Sequence, residues 1–582
     1  MKTKKLEKTN FKNRNFINLE SISLIIFFFA GILLNFKPAY DYTIIKVVFG
    51  YLFVLLLSTS YILEKKEFHF NYSILIIFLI FFSYILFSSF TAPFKYGSAF
   101  LLENYLLYFL IFVLSLNLEI KNEWIYYWLI AAFISSITGL FQYLGPRHYA
   151  ISTFGNPNFF AGHIIMPICI GISLLFSKEF KKPQKFLTLF FVIICFITLI
   201  LTRSRAAIVG FLFGISTIFF LINKNKKIKW LGYIILLLIS VFLSKFIYKE
   251  FLTNIRYYIW TGTIKLIKQK PITGWGFGQF IFYYFYFRRR DYFLQSESTP
   301  VTNHAHNEYL EMLSEIGIIG ILIFFIFIYI IVNKFFKSKE LCGKNYKLEK
   351  NLIAGFVGGI FAVMVDNILS TNLRNPSTAM YFYFLLGILG SLRRNRAFHF
   401  NISKLLYSTT FFVSFLMIIL TSYYRILPDV YLKRGIWAKD MGDYKKAIEN
   451  YKVVCSLNPY NYTALYKLAF VYGEIGDYKN AERIYLYINN YVFPHFAKTD
   501  TNLGTVYLKI GDYEKALKYY LYAEWLNPYD KDVLCSISSI YLIYYNDVDK
   551  ALKYLNKVLT IDPENRYANT VKSQLKKEGK IK

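Results

Sequence analysis

Residues Leu310–Asn333 read LEMLSEIGIIGILIFFIFIYIIVN, and the run is almost entirely apolar after its two early glutamates. A helix needs about 20 predominantly apolar residues to cross the hydrocarbon core of a membrane. Runs of similar length recur between Ile22 and Tyr424, and the chain as a whole is 55% hydrophobic and 20% aromatic. That composition is too apolar for an ordinary soluble domain. We therefore predict an all-α, polytopic membrane helix bundle.

Length and apolarity predict about thirteen membrane spans. The basic segment Met1–Leu19 precedes the first apolar run without a small-residue cleavage site, so we expect a retained first helix rather than a signal peptide. The predicted spans are 21–36, 42–62, 72–90, 99–117, 124–144, 159–176, 186–202, 205–222, 229–248, 310–333, 351–370, 376–392 and 404–424.

The charge surplus predicts the orientation of these spans. The chain has 67 Lys and Arg against 36 Asp and Glu, and basic clusters such as Lys178–Lys185 and Lys334–Lys350 fall in alternate loops. Because cytoplasmic loops carry the excess of basic residues, this pattern places the N-terminus inside and the chain after Tyr424 outside. It explains the net charge of +31 without nucleic acid, which we do not expect as a partner.

The polar tail contains a repeated motif. Gly442-Asp443-Tyr444, Gly476-Asp477-Tyr478 and Gly511-Asp512-Tyr513 recur with a period of about 34 residues. Alanines 447, 481, 516 and 551 keep the same period, and each is followed four residues later by Tyr or Leu. This pattern resembles tetratricopeptide repeats, which pack as pairs of helices and commonly bind peptides or proteins. We predict a membrane domain at 1–424 and about four repeats at 425–582. Alternatively, the repeats only stabilise or dimerise the protein.

Several ionisable residues lie near the predicted outer ends of spans. Glu103, His163 and Asp366 lie about one turn below the outer surface, and Arg203 and Arg205 lie at the tip between two spans. Charge in lipid costs several kcal/mol, so such residues are candidates for function. The alternative is that Glu103 and Asp366 pair with the arginines to hold helices together, and that His163 is a hydrogen-bonded interhelical residue.

The longest interspan loop, 249–309, adds further candidates on the same side. It contains an amphipathic segment with Arg256, the glycine-rich turn Pro271–Gly278, the cluster Arg288–Arg290, and His304 and His306. The turn is a poor nucleotide loop, because no strand precedes it and no Lys-Ser/Thr follows. The arginine cluster is typical of a solvated or headgroup-binding run, and the two histidines have no third metal ligand at plausible spacing.

Arginines on the outer face run against the positive-inside bias, which calls for an anionic partner. Phosphate or pyrophosphate fits, because the planar guanidinium can bond two phosphate oxygens at once. A neighbouring histidine supplies a base that titrates near neutral pH. We therefore predict that Arg205, Arg256 and His306 move a group from a pyrophosphate carrier to a hydroxyl. The five cysteines show neither CxxC spacing nor a nearby histidine cluster, so no metal site or disulfide framework is indicated.

These motifs occur in an order that resembles a known family. Thr153-Phe154-Gly155-Asn156-Pro157-Asn158 comes first, then Arg205 after Leu-Thr-x-Ser, and then Arg256 four residues before Trp260. Pro271-Ile272-Thr273-Gly274-Trp275-Gly276 and His306-Asn307-Glu308-Tyr309-Leu310 follow. The set resembles the O-antigen ligase and polymerase superfamily over about residues 20–400, and members with tetratricopeptide tails are familiar.

The resemblance implies a GT-C-like fold and a metal-independent, inverting glycosyltransferase without a cofactor. The donor would be a glycan on undecaprenyl pyrophosphate, at the extracytoplasmic face of the bacterial inner membrane. Arg205 and Arg256 would bind the pyrophosphate, and His306 would orient or deprotonate the acceptor hydroxyl. Arg203 and His304 duplicate their neighbours, which leaves both assignments open. Additional substrate-binding candidates are Asn156, Asn158, Glu103 and Asp366.

The acceptor is left open by the sequence. A lipid A core, a protein hydroxyl or another glycan repeat would make the protein an O-antigen ligase, a protein O-oligosaccharyltransferase or a polymerase. The repeats favour a ligase or protein glycosyltransferase slightly, because helical repeats commonly bind polypeptide. From other classes, a non-catalytic glycolipid transporter should show mid-membrane charges and paired broken helices, which we do not see. A membrane-anchored scaffold leaves the outer arginines and His306 unexplained.

Overall fold

The computed structural model describes most of the chain. The described residues are 18–41, 43–118, 122–146, 148–223, 225, 229–230, 234, 255–294, 302–336, 350–392 and 396–581. The predicted span at 229–248 and the basic segments 1–17, 337–349 and 393–395 therefore lie wholly or almost wholly outside the described residues.

The membrane domain is a bundle of apolar helices, as predicted. Its first eight helices are α1 (Leu19–Leu33), α2 (Ile45–Leu63), α3 (Tyr72–Thr91), α4 (Lys95–Ser115), α5 (Asn122–Leu144), α6 (Pro157–Leu175), α7 (Lys182–Leu201) and α8 (Arg205–Ile222). After the loop helices α9 (Ile255–Gln269) and α10 (Phe280–Phe287) come α11 (Glu308–Phe336), α12 (Lys350–Asp366), α13 (Pro376–Ser391) and α14 (Phe400–Thr421). Two-residue strands at His69–Phe70 and Arg396–Ala397 pair antiparallel.

Twelve of the thirteen predicted spans coincide with helices in the described ranges. Nine helices there are long and apolar enough to cross a membrane. The predicted spans near 21–36, 351–370 and 376–392 are the shorter helices α1, α12 and α13. Every residue of α13 from Ser377 to Ser391 is buried, so the helix lies in the centre of the bundle.

The tail folds as helical repeats. Its helices are α15 (Leu427–Asp440), α16 (Tyr444–Leu457), α17 (Tyr462–Glu474), α18 (Tyr478–Tyr487), α19 (Thr499–Ile510), α20 (Tyr513–Leu526), α21 (Lys531–Ile543), α22 (Val548–Ile561) and α23 (Arg566–Lys577). The motif Gly-Asp-Tyr marks the turn inside the first three helix pairs, and Asn546-Asp547-Val548 takes its place in the fourth. The glycines have φ between 79° and 87°, where a side chain would be strained. The aspartate of each motif caps the helix that follows by accepting a hydrogen bond from a backbone N–H, as the Asp443 carboxylate does from the Lys446 N–H at 3.0 Å.

A continuous helix joins the membrane domain to the repeats. Helix α14 continues through a π-helical turn at Ser422–Ile426 into α15 and ends at Asp440. The boundary predicted at 424 falls inside this helix and stays a prediction. Because no flexible linker interrupts the helix here, the first repeat is held directly on the membrane bundle.

Candidate active site

The loop before α11 carries His306 in an uncommon conformation. His306 has φ +52°, a left-handed backbone that costs a residue with a side chain roughly 1–2 kcal/mol. The preceding residue, Ala305, is clamped on both sides: its carbonyl accepts a hydrogen bond from Trp260 Nε1 at 3.0 Å, and its N–H donates to Glu311 Oε2 at 2.6 Å. Strain of this kind persists only where surrounding contacts hold it, and it is common at functional sites.

The same loop is attached to the end of α12. The Glu308 N–H lies 3.0 Å from the carbonyls of both Asn367 and Ser370, and the Tyr309 hydroxyl donates to the Met364 carbonyl at 2.6 Å. These bonds bring His306 beside the end of the helix that carries Asp366.

Arg205 reaches this place because α8 packs closely against α12. The two helices run antiparallel, since Gly210 faces Ala362 and Asp366 while Gly214 faces Gly358. A Cβ on Gly210 would overlap the Ala362 carbonyl, so the close approach requires glycine. The N-terminus of α8, where Arg205 lies, is thereby placed at the Asp366 end of α12.

Arg256 lies within electrostatic reach of both Asp366 and Arg205. It is one turn before Trp260 on α9, and so shares the helix face that binds the His306 loop. Desolvation lowers the pKa of Arg256, the Asp366 carboxylate acts to raise it, and the Arg205 charge lowers it further. The structure therefore brings together the three residues that sequence reasoning chose from distant segments.

The ring of His306 is solvent-accessible but closely surrounded by protein. Desolvation, followed by the positive charges of Arg256 and His304, lowers the pKa of His306 to about 4. Its imidazole is accordingly neutral at physiological pH and has a lone pair available to accept a proton.

The neighbouring His304 has a different environment. Its Nδ1 lies 3.0 Å from Glu311 Oε1. Burial alone would lower the pKa of His304, but the Glu311 carboxylate outweighs that effect and raises it above the ordinary value. The two histidines, between which the sequence left the assignment open while favouring His306, are distinguished by their partners: a carboxylate for His304 and an arginine for His306.

A cluster that sequence reasoning missed lies beneath this loop. Arg374, with 7% of its side chain exposed, lies 3.3 Å from Glu308, 3.0 Å from Glu311 and 2.8 Å from Glu315. The glutamates are three and four residues apart, so they share one face of α11. Glutamates at this spacing on an otherwise apolar helix were the sequence signal for the cluster, because buried carboxylates require a nearby cation.

The glycine-rich turn Pro271–Gly278 supports α11 rather than a nucleotide. Its Trp275 and Gly276 N–H groups donate to the carbonyls of Ser314 and Glu315, each at 2.9 Å. The helix is broken at Gly317, whose φ is +63°, and a Cβ there would overlap the Ile272 carbonyl. The turn therefore fits into a kink of α11 and holds the glutamate face in position.

A cavity of about 560 Å³ opens beside His304. Its wall includes residues from several membrane helices, from the turn that leads into the repeats and from α17 of the repeats. Besides tyrosines, the polar ones are Asp41, Thr43, Asn104, Asn156, Asn303, His304, Glu311, Glu315, Thr371, Arg374, Asn375 and Arg425. This volume lies within the range of about 300–1,000 Å³ that ligand sites occupy.

The remaining predicted site residues have mixed placements. Arg203 has φ +57° and lies over the Tyr149 ring, 5.5 Å from its centroid. Asn156 lines the cavity and caps α6 by accepting from the Asn158 N–H at 2.8 Å. Glu103 pairs with Arg425 at 2.9 Å. Glu103 therefore pairs with an arginine of the helix leading into the repeats, and not with Arg203 or Arg205 as the structural alternative expected.

His163 and Asp366 have polar partners within the bundle. His163 is fully buried, with Nδ1 2.8 Å from the Ser377 carbonyl, in agreement with the prediction of an interhelical hydrogen bond. Asp366 accepts from Ser370 at 2.7 Å and from Asn372 at 2.6 Å, and it acts electrostatically on Arg256.

Comparison with protein families adds an independent observation. Residues 190–325 match the O-antigen ligase family. The chain contains an O-antigen ligase domain. Residues 439–476 match a TPR repeat, and residues 501–527 and 532–565 match tetratricopeptide repeats. These matches agree with the superfamily resemblance and the repeat tail inferred from sequence.

The chain is also similar to solved structures. A crystal structure of MamA is 25% identical, with a TM-score of 0.22, over 23% of this chain and 77% of that one. YrrB, described as a TPR protein with an unusual peptide-binding site, is 18% identical, with a TM-score of 0.24, over 30% and 89%. The Cut9–Hcn1 structure is 12% identical, with a TM-score of 0.24, over 81% and 76%. No curated protein matched the chain.

The O-antigen ligase domain includes the main candidates. Arg203, Arg205, Arg256, His304 and His306 all lie inside the matched residues. The lower-ranked candidates Asn156, Asn158, Glu103 and Asp366 lie outside them. The domain supports a membrane glycosyltransferase-like ligase role for the chain.

Proposed function

We propose that the protein transfers a glycan from a polyprenyl-pyrophosphate carrier to an acceptor hydroxyl on the extracytoplasmic face of the bacterial inner membrane. The observation that carries the proposal is the convergence of Arg205, Arg256 and the strained His306 at one end of α8 and α12. The O-antigen ligase match supports the same reaction class.

The two arginines suit a diphosphate. Arg205 begins α8, where the backbone N–H groups of the first turn and the helix dipole favour an anion, and Arg256 adds a second guanidinium nearby. In the proposed reaction both hold the pyrophosphate, and they stabilise the negative charge that develops as its bond to the sugar breaks.

His306 suits the acceptor. Its neutral imidazole accepts the proton of the acceptor hydroxyl while that oxygen bonds to the anomeric carbon of the donor sugar. The bond from that carbon to the pyrophosphate oxygen breaks at the same time, and the polyprenyl pyrophosphate leaves. Attack opposite the leaving group inverts the anomeric centre. Each step uses this chain's own residues and assigns no role to a metal or cofactor.

Donor binding also prepares the base. The positive charge of Arg256 lowers the pKa of His306, and a bound pyrophosphate offsets that charge. The proposed site is therefore more basic with the donor than without it, which disfavours proton uptake before the substrate is present.

Ligase and polymerase activities differ in the acceptor: a lipid core, a protein hydroxyl or another glycan repeat. We favour a ligase or protein O-glycosyltransferase, and a protein partner at the repeats would be consistent with it. The test compares cells with and without the gene by mass spectrometry of their glycolipids, glycoproteins and polysaccharides. We expect one class to lose glycan and the lipid-linked donor to accumulate. Unchanged donor and unchanged products would contradict the proposal.

The outer location has its own test. Single cysteines at Asn303 and Lys178 are introduced into a chain whose five native cysteines are replaced, and intact cells are treated with an impermeant thiol reagent. We expect labelling at 303 in intact cells and at 178 only after permeabilisation. Labelling of both positions from one side would refute the proposed topology.

A further inference from the structure

The cavity beside His304 has a wall that the membrane domain does not supply. Arg425, from the π-helical turn before α15, and Tyr462, at the start of α17, line the cavity together with residues of the outer membrane face. The repeat array is therefore part of the cavity, and this is a role that neither family match assigns to it.

This wall is held by specific contacts. Arg425 bonds Glu103 at 2.9 Å and Asn104 at 3.2 Å. The Asp41 N–H donates to the Asp429 carboxylate at 2.8 Å. These polar contacts join two segments of the membrane domain to the helix that leads into the repeats, and they give the repeats a defined position on the membrane domain.

The second half of the junction is aromatic. Asn458 donates to the Tyr96 hydroxyl at 3.1 Å, and the Tyr96 ring lies 6.2 Å from that of Tyr462. Further along, Phe282 of α10 contacts Phe493, with ring centroids 4.6 Å apart. The cavity is thus enclosed by a packed interface rather than by a surface loop.

The lining has the chemistry of a saccharide site. Its charged groups are the carboxylates of Asp41, Glu311 and Glu315 and the guanidinium groups of Arg374 and Arg425, so neither sign dominates. A hydrocarbon chain would desolvate these groups without bonding them, and a polyanion would meet the carboxylates. A ligand rich in hydroxyl groups can donate to the exposed Asp41 carboxylate. The groups of Glu311, Glu315 and Arg374 are buried and already bonded to one another, so they need no counter-ion from the ligand.

Aromatic and amide side chains complete the match. Tyr40, Tyr96, Phe100 and Tyr462 present ring surface, on which the apolar faces of sugar rings can pack. The asparagines at 104, 156, 303 and 375 add donors and acceptors that carry no charge. Both kinds of contact suit an uncharged, ring-containing ligand.

We propose that this cavity, defined by its membrane-side residues together with Arg425 and Tyr462, binds the glycan portion of a substrate, so that the repeat array is a wall of the carbohydrate site. The proposal rests on the proposed glycan transfer and names where the sugar chain lies. It does not require the repeats to bind a protein partner.

The test measures binding without the pyrophosphate. The probe is the oligosaccharide released by mild acid from the source organism's lipid-linked glycan, titrated against full-length protein in lipid nanodiscs by saturation-transfer NMR. Tyr462→Leu removes one aromatic wall. Tyr466→Leu is the matched control: it lies one turn later on α17 and packs on the same Phe496, but it does not line the cavity.

We expect Tyr462→Leu to weaken binding by about tenfold, the upper end of what an aromatic contact contributes, with Tyr466→Leu unchanged. Asn303→Trp, at an exposed lining position in the membrane domain, fills the cavity and should also weaken binding, which guards against a folding defect in the repeats. Absent binding in the wild type, or equal binding in wild type, Tyr462→Leu and Asn303→Trp, would overturn the proposal.

A transfer assay on the same proteins separates the two proposals. If only the cavity proposal is wrong, Tyr462→Leu will still transfer glycan, with the same KM for the donor as the wild type. Failure of the proposed function alone would leave glycan binding sensitive to Tyr462→Leu while no preparation transfers glycan.

Discussion

The hydrogen bond from Trp260 to Ala305 should determine how well His306 is positioned. Trp260→Phe keeps an aromatic ring but removes the N–H that lies 3.0 Å from a carbonyl in a fully buried residue. An unpaired buried carbonyl costs about 1–3 kcal/mol. The left-handed backbone of His306 costs a similar amount, roughly 1–2 kcal/mol. The anchor and the strain it opposes are therefore comparable, and losing the anchor should let the loop relax.

We expect the loop conformation that positions His306 to be destabilised by about 1.4 kcal/mol relative to other conformations. Its population, and therefore kcat, should fall about tenfold, with little change in KM for the donor. The assay follows release of polyprenyl pyrophosphate by protein in liposomes containing the lipid-linked donor and acceptor. Trp275→Phe is the matched control, because it removes an indole bond to the same helix, at the Leu266 carbonyl and also at 3.0 Å, away from His306. Full activity in Trp260→Phe, or equal losses in both variants, would refute the positioning argument.

Three further predictions concern the same region. The pKa of His306 is about 4 in the folded protein and about 6.5 in an unfolded chain, so its contribution to stability is full above pH 6.5 and is lost as the pH falls toward 4. Inorganic pyrophosphate should raise the pKa of His306 in the folded protein, which NMR titration of the imidazole ring can measure. An unchanged titration would contradict the pairing with the arginines. Arg374→Met should lower the free energy of unfolding by about 3–5 kcal/mol, because three buried carboxylates lose their cation. Arg289→Met, which breaks the partly exposed pair with Asp291, should change the free energy of unfolding by less than about 1 kcal/mol, and equal effects of the two variants would count against the buried cluster. Gly317→Ala should destabilise the protein in a thermal-unfolding assay, since φ is +63° and the new Cβ would overlap the Ile272 carbonyl, whereas Gly473→Ala has open space and should not; a tolerated Gly317→Ala would exclude the proposed fit of the turn into the kink.

The helices and the repeats were predictable because each is encoded locally. Apolar runs of membrane length predicted twelve helices that the structure describes, and the Gly-Asp-Tyr period predicted the turns of the repeats. The glycine provides a left-handed backbone and the aspartate caps the next helix, so the motif carries its structure within a few residues.

The candidate site was predictable only in part. Arg205, Arg256 and His306 could be chosen because they are charged or titratable groups beside predicted spans on one side. Their separation along the chain concealed what brings them together, namely the close α8–α12 packing at Gly210 and the bond from Trp260 to the loop.

Pairings across the fold were the least predictable. The cation for the three glutamates of α11 is Arg374, in a short turn before α13, and Glu103 finds Arg425 in the helix leading to the repeats. Nothing local to either carboxylate indicates its partner, because the contact depends on how helices from distant parts of the chain pack. The cavity wall from the repeats was unforeseen for the same reason.

The central claim is that Arg205, Arg256 and His306 act together on a lipid-linked diphosphate. The most direct measurement is single-turnover transfer of glycan from the polyprenyl-pyrophosphate donor by purified protein in liposomes. We expect Arg205→Ala, Arg256→Ala and His306→Ala each to slow transfer by about 100-fold or more while the protein stays folded. Arg203→Ala, whose guanidinium lies over Tyr149, should stay within a few-fold of wild type. Wild-type rates in the first three variants would contradict the account.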